Sequence, residues 1–229
     1  MIFEGISATN FEHSGSFYEN EFEDILRGIF VCYQCIILSG AKLPNDENHI
    51  RDEILLKYLK NDSFKEQHFN LASYHFDKET IENSGRADIR ILPVNPYVGD
   101  KAYYIIECKR LNNQNLSGTT GLNSEYVKNG ICRFVITNYY STYFGVNGMI
   151  GFVVDNLDIA NNIANINSFL DKDLINDKKE TVNAMAVQEI KQKELCENFQ
   201  YSYTSKHKTS SEKEIILYHL MFDFSKNIP

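Results

Sequence analysis

The chain has 229 residues, of which 43% are hydrophobic and 24% charged, with five cysteines and a net charge of −8. That length supports one large domain with a sizeable core, and the balance is that of an ordinary globular protein. The acidic excess argues against a protein that coats polyanions through bulk charge, though it permits a local basic patch beside an acidic site.

The opening MIFEGISATNFEHSGS lacks a basic region followed by an apolar core, so no signal peptide is expected. The longest apolar run, GIFVCYQCIIL at 28–38, is too short to span a bilayer and reads as a buried part of a first helix over 17–39, closed by Gly40. Cys32 and Cys35 form a CxxC without a second ligand pair, which reads as core packing; an odd cysteine count suits a reducing cytoplasm. The polar link AKLPNDEN leads to a second helix at about 47–60, stopped by Asn61-Asp62. FNLASYHF at 69–76 is read as a strand. Two clearer strands follow at 86–92 and 102–108, joined by a loop holding Pro93, Pro96 and Gly99.

After the small polar stretch NNQNLSGTTGLNS come a third helix at about 124–138, a strand at 149–155 and a helix through NLDIANNIANINSFL. Beyond 170, DKDLINDKKE reads as a solvated linker and TVNAMAVQEI is ambiguous. NFQYSYTS and EKEIILYHLMFDFS read as strands paired across SKHKTSSE. The expectation is a single α/β domain with a core at about 47–155, the N-terminal helix, and a C-terminal β-rich extension over 170–229.

The chemistry concentrates between positions 85 and 110. With PYVG as a four-residue turn, Asn95 faces Asp100, and the same register sets Asp88 opposite Glu107. Opposed side chains on antiparallel strands have Cβ atoms about 4.5–5.5 Å apart. Two carboxylates that close repel by roughly 3 kcal/mol at an effective dielectric near 20. A shared proton or a cation offsets this, and a hard divalent ion takes such oxygen ligands. Lys109, two residues past Glu107, points to the same face of its strand. Preceding it, AYYII is apolar on both faces, as in a central strand covered by helices.

Asp88, an eighteen-residue interval and then Glu107-Cys108-Lys109 resemble the signature of the PD-(D/E)xK nuclease superfamily. The order helix, three strands, helix, strand over roughly 47–155 is similar to that superfamily's core, although Ala87 stands where the motif has proline. The resemblance implies a restriction-endonuclease-like αβββαβ core with a mixed central sheet flanked by helices. It implies a magnesium-dependent nuclease, manganese being a substitute, with the metal on Asp88, Glu107 and the backbone carbonyl of Cys108. Lys109 would position or activate the attacking water. DNA is the implied partner and endonucleolytic cutting the implied activity, in a bacterial defence or restriction setting. An RNA-directed nuclease and a catalytically silent binding module on the same fold stay open, as does a homodimer or protein partner that presents the substrate.

Two helices bear on the site. Ile50, Ile54, Leu55 and Tyr58 share one face of the second helix, and Glu47 falls on it near the first turn while Glu53 points away. Glu47 is either a helix-dipole residue or, as many members of the superfamily carry an acid in this helix, a third metal-site carboxylate of the catalytic group. In the third helix Val127, Ile131, Phe134 and Val135 form a packing face. Tyr126, Asn129, Gly130, Arg133 and Thr137 collect on another, as phosphate contacts across the site or as a solvent-facing stripe. Lys128 falls off that stripe. A mid-helix glycine costs about 1 kcal/mol, which makes sense where another group approaches closely.

Rival patterns exist. Glu189-Ile190-Lys191 is also ExK and Asp177-Lys178-Lys179 is DxK, both without a partner acid in a convincing strand. For the main cluster the structural alternative is a cross-strand ion pair of Asp88 or Glu107 with Lys109 or Arg86. Arg110, Lys191, Lys193 and Lys206-His207-Lys208 are scattered, the last group in the expected hairpin loop, either solvated or touching a nucleic-acid backbone. His219 reads as a core or edge histidine.

Overall fold

The computed structural model describes residues 14–82, 85–94, 102–136, 140 and 143–229. Apolar side chains recurring every three or four positions drive helix α1, Ser14–Ser39, which lays Phe22, Ile25, Leu26, Ile29, Cys32 and Ile36 into the interior. Gly40, at φ 65°, ends it in the left-handed conformation that glycine adopts without penalty. The Cys32 thiol donates to the Gly28 carbonyl within that helix, in keeping with a packing role. Helix α2, Glu47–Ile54, is capped by the Asp46 side chain and runs on through a π-helical turn, Leu55–Leu59.

Two short helices follow, α3 at Asp62–Gln67 and α4 at Phe69–Ala72. They correct the expected strand at 69–76. Residues 69–72 are helical, and strand β1 starts only at Tyr74 and runs to Glu82. The turn drops buried Leu71 onto Gly28 of α1, where a Cβ would lie 2.5 Å from the leucine, so an apolar pattern that reads as strand serves a helix contact.

Strands β2, Gly85–Pro93, and β3, Tyr104–Leu111, pair antiparallel through Ile89–Ile106, Arg90–Ile105 and Ile91–Tyr104, the register expected from the sequence. Of the turn that suggested it, residues 95–101 lie outside the described residues. The third helix comprises α5 at Leu122–Tyr126, a π-helical turn at Val127–Ile131 and α6 at Cys132–Val135, and the expected Thr137 lies outside the described residues. It leads to β4, Val146–Val153, which pairs parallel with β3; α7, Ile159–Asn167, follows.

The C-terminal part is no appendage. β5, Leu174–Ile175, and β6, Thr181–Val182, form a small hairpin whose first strand lies inside the expected linker and whose second opens the stretch read as ambiguous. β7, Ala186–Gln192, β8, Ser202–Lys208, and β9, Glu214–Asp223, enter the main sheet, which among the described residues has seven strands in the order β1-β2-β3-β4-β9-β8-β7. β9 runs parallel to β4 and antiparallel to β8. Lys206, His207 and Lys208 therefore sit in a strand, not a hairpin loop, because β8 follows β9 for seven paired residues.

The sheet is mixed and covered on both faces. Residues of α1 and α2 pack on Ile89, Ile91, Ile106, Ile150 and Phe222, while Val127, Ile131, Phe134 and Ile163 pack on Ile105, Met149, Leu217 and Met221. Nearly every residue of β3 is buried. Among the described residues no helix is long and apolar enough to cross a membrane.

Candidate active site

The described pairs of β2 and β3 stop at Ile89–Ile106, and a cluster of charge begins with the next pair of positions. Asp88 turns its Oδ2 to the Cys108 amide, 2.8 Å away, and so continues the join between the strands through a side chain. Its Oδ1 faces Nη1 of Arg51 at 3.2 Å. Arg51 is 1% exposed, and its Nη2 also reaches Asp52 at 2.8 Å and Glu79 at 3.0 Å. The β1–β2 ladder pairs Lys78 with Ile89 and Thr80 with Ala87, passing over Glu79 and Asp88. Glu79 there has φ 48°, a left-handed conformation that is costly for a non-glycine residue, and its carboxylate serves both Arg51 and Arg86.

Glu107 is fully buried. Its Oε1 accepts from Lys109 Nζ at 2.7 Å and Arg133 Nη1 at 2.5 Å, and its Oε2 accepts from the Tyr140 hydroxyl at 2.5 Å. Lys109 Nζ donates as well to the Cys108 carbonyl at 2.8 Å and to Glu47 Oε1 at 3.3 Å. The other Glu47 oxygen accepts the Arg110 amide at 3.1 Å. Glu47 is the first residue of α2, where the helix dipole favours a negative charge. The placement fits the helix-dipole role and brings Glu47 to Lys109.

Burial, and after it the Asp88 charge, pushes the Glu107 carboxyl up to about 7, against the pull of Lys109 and Arg133. Burial works to lower the Lys109 ammonium, yet Glu107, Asp88 and Glu47 hold it above its ordinary value. Burial likewise opposes the Arg51 charge, and the hydrogen bond that Arg51 donates to Asp52, with the Asp88 and Asp52 charges, outweighs it. Tyr140 is raised by burial and by Glu107, so it stays a donor.

The donor set suits a hard cation, being made only of carboxylate and carbonyl oxygens. A carboxylate offers about four lone-pair positions. Asp88 uses two of them on Arg51 and the Cys108 amide and Glu107 three on Lys109, Arg133 and Tyr140, so positions remain on both. Among the described residues no three acidic, histidine or cysteine side chains gather at metal-ligand spacing. Asp88, Glu107 and the Cys108 carbonyl are the groups here that could hold a hard cation, with water completing its shell.

The other expected residues divide. Arg133 joins the cluster. Tyr126 does not: it is fully buried, and its hydroxyl meets Nδ1 of His219 at 2.9 Å. The π-helical turn at Val127–Ile131 explains the error, since it inserts an extra residue per turn and rotates Arg133 away from the face of Tyr126. Asn129 is buried and bonds Glu125 and the Asp177 amide, so it holds the β5–β6 turn in place. Gly130 meets the close approach expected of it, a Cβ there lying 2.5 Å from Met149 Cε and 3.5 Å from Lys109 Cγ. Lys128 pairs with Glu125 off the cluster, and Glu53 pairs with Lys57. Of the ion-pair alternatives, Glu107–Lys109 is formed, within β3 and not across strands, and Arg86 turns to Glu79 instead. The rival Glu189 and Lys191 lie exposed on β7, and His219 is a fully buried core histidine.

Arg51 and Tyr140 escaped the sequence reading. Arg51 did leave a signal, because with Ile54, Leu55 and Tyr58 it occupies positions i, i+3, i+4 and i+7, the middle of the apolar stripe. Tyr140 left none. Compared with family models, curated proteins and solved structures, the chain has no match in any of the three.

Proposed function

We propose that this protein is a divalent-metal-dependent nuclease of the PD-(D/E)xK type, cutting phosphodiester bonds in DNA. The observation that carries the reading is the meeting of Glu47, Asp88, Glu107 and Lys109 at one end of β2 and β3, with Lys109 Nζ within 3.3 Å of two of the acids and of the Cys108 carbonyl. The order α2, β1, β2, β3, α5–α6, β4, with the lone acid on β2 and the ExK on β3, agrees with the restriction-endonuclease-like core that the resemblance implies.

In this reading Asp88, Glu107 and the Cys108 carbonyl hold magnesium or manganese. When bound, the ion would supply Lewis acidity toward a phosphoryl group and acidify water. Lys109 carries a fixed positive charge at the rim, where it orients the attacking water and offsets charge growing on the phosphoryl oxygens. Glu47 holds the ammonium and anchors the Arg110 amide.

The test is incubation of the parent protein, Lys109→Ala and Asp88→Asn with plasmid, single-stranded DNA and RNA, in magnesium, manganese or EDTA. The expected result is cutting of DNA by the parent with either metal, none in EDTA, and a loss of about 10²–10³-fold in Lys109→Ala. Cutting confined to RNA would change the substrate and keep the chemistry. Cleavage that survives both EDTA and the substitutions would place the active site elsewhere. A second reading, a silent binding module, is favoured by one observation: Asp88 and Glu107 are both already paired with basic side chains. Nucleic-acid binding without cutting, unchanged in Lys109→Ala, would select it.

A further inference from the structure

We propose that Arg133 is an exchangeable counter-cation of Glu107, which holds the carboxylate in the metal-free protein and passes to Asp177 when a divalent ion binds. The inference rests on the metal-site reading above. Oε1 of Glu107 accepts from two cationic donors at once, Lys109 at 2.7 Å and Arg133 at 2.5 Å. An ion bridging Asp88 and Glu107 would add two positive charges beside them, and like charges at such spacing inside a protein repel strongly. One of the resident cations gives way.

The geometry says which. Lys109 is fastened from two more sides, by the Cys108 carbonyl at 2.8 Å and Glu47 at 3.3 Å, and its side chain is 11% exposed. Arg133 spans the boundary instead. Its Nη1 is on the buried acid, and its Nη2 lies 3.7 Å from Oδ2 of Asp177, a side chain 56% exposed. Asp177 is also a prepared acceptor. Its amide is held by the Asn129 carbonyl oxygen at 3.1 Å, one turn from Arg133 on the same helix, and its neighbour Asn176 is bonded to Glu180 through both side chain and backbone. The two acids thus flank the two ends of one guanidinium. The guanidinium then leaves the metal's carboxylate and stays at the rim, where its fork matches phosphate oxygens.

The exchange makes an arginine that aids the substrate an opponent of the metal, and that sign is measurable without turnover. The probe is Mn²⁺ alone, its free fraction read from the paramagnetic resonance of the hydrated ion at pH 8.5. Arg133→Gln is expected to bind Mn²⁺ about tenfold more tightly than the parent, the size of an ordinary coupling between sites. Asp177→Asn is expected to bind it about threefold more weakly, as suits the loss of an exposed ion pair. In the Arg133→Gln background Asp177→Asn should change nothing, since the acceptor matters only through the arginine. Unchanged or weaker Mn²⁺ binding in Arg133→Gln would overturn the exchange. An equal effect of Asp177→Asn in both backgrounds would reduce Asp177 to a bare charge and overturn its part. If the parent binds Mn²⁺ no better than Asp88→Asn does, the metal site itself is lost, and the proposed function goes with it. Asp177→Asn is a surface change on a turn, so it stays informative even if Arg133→Gln folds poorly.

Discussion

A buried guanidinium with three acidic partners is costly to disturb. Arg51 is 1% exposed and bonds Asp52, Glu79 and Asp88, which are themselves 15% to 28% exposed at their side chains. Removing one member of such a group leaves the others partly desolvated and unpaired, so Arg51→Ala is expected to cost about 3 kcal/mol in urea denaturation. A cost under about 1 kcal/mol would mean that water already screens the cluster. Arg51→Lys keeps the charge and loses the fork, and should fall between the two. The same arginine explains why Asp88 is so placed. Its two oxygens are held by Arg51 and by the Cys108 amide, which fixes the carboxylate next to the residue that follows Glu107.

Between elements, a line of buried hydrogen bonds ties the site helix to the far half of the sheet. The Ala184 carbonyl can only accept, so His207 donates from Nδ1 and presents Nε2 as an acceptor. Ser205 then donates to that nitrogen and accepts from Nε2 of His219, whose Nδ1 takes the Tyr126 proton. Each link needs both histidines neutral. Burial pushes His207 down to about 4 and His219 well below its ordinary value. Below pH 6.5 the unfolded chain therefore gains protons that the folded one refuses, and stability present above that pH is lost as pH falls toward 4. His207 alone accounts for up to about 3 kcal/mol. Glu107 has the opposite sign. Raised to about 7, it keeps a proton in the folded state that the unfolded chain releases above 4.5, and its contribution is lost as pH rises through 7. In EDTA, Glu107→Gln should lose stability more steeply than the parent between pH 6.5 and 4.5. Equal slopes in urea midpoints would show that Glu107 does not carry the proton.

At the scale of the whole molecule, β9 is the strand that turns two halves into one domain. It pairs parallel with β4 through eight residues, and it gives Leu217 and Met221 to one face of the sheet and Leu220 and Phe222 to the other. A chain ending at Leu170 would expose the whole edge of β4 and lose both sets of contacts. It is expected to lack a near-ultraviolet circular dichroism signal and a cooperative urea transition. A folded product that keeps both would show that residues 1–170 form a stable domain without β9.

Local pattern determined most of the elements and the heart of the cluster. The apolar run of β3 and the shared faces of Glu107 with Lys109 and of Glu47 with Ile50 and Ile54 follow from periodicities of 2.0 and 3.6, while the register of β2 against β3 followed from the length of the turn between them. Tertiary structure decided the rest. Whether Phe69–Ala72 coils or extends depends on Leu71 meeting Gly28, more than forty positions earlier in the chain. The π-helical turn at Val127–Ile131 rotated Tyr126 into the core, a change of pitch that side-chain pattern does not announce. Tyr140 reaches Glu107, and β9 reaches β4, across separations at which the sequence records no distance. Such contacts are settled by burial and charge pairing once the sheet has closed, and only the folded chain brings them within range.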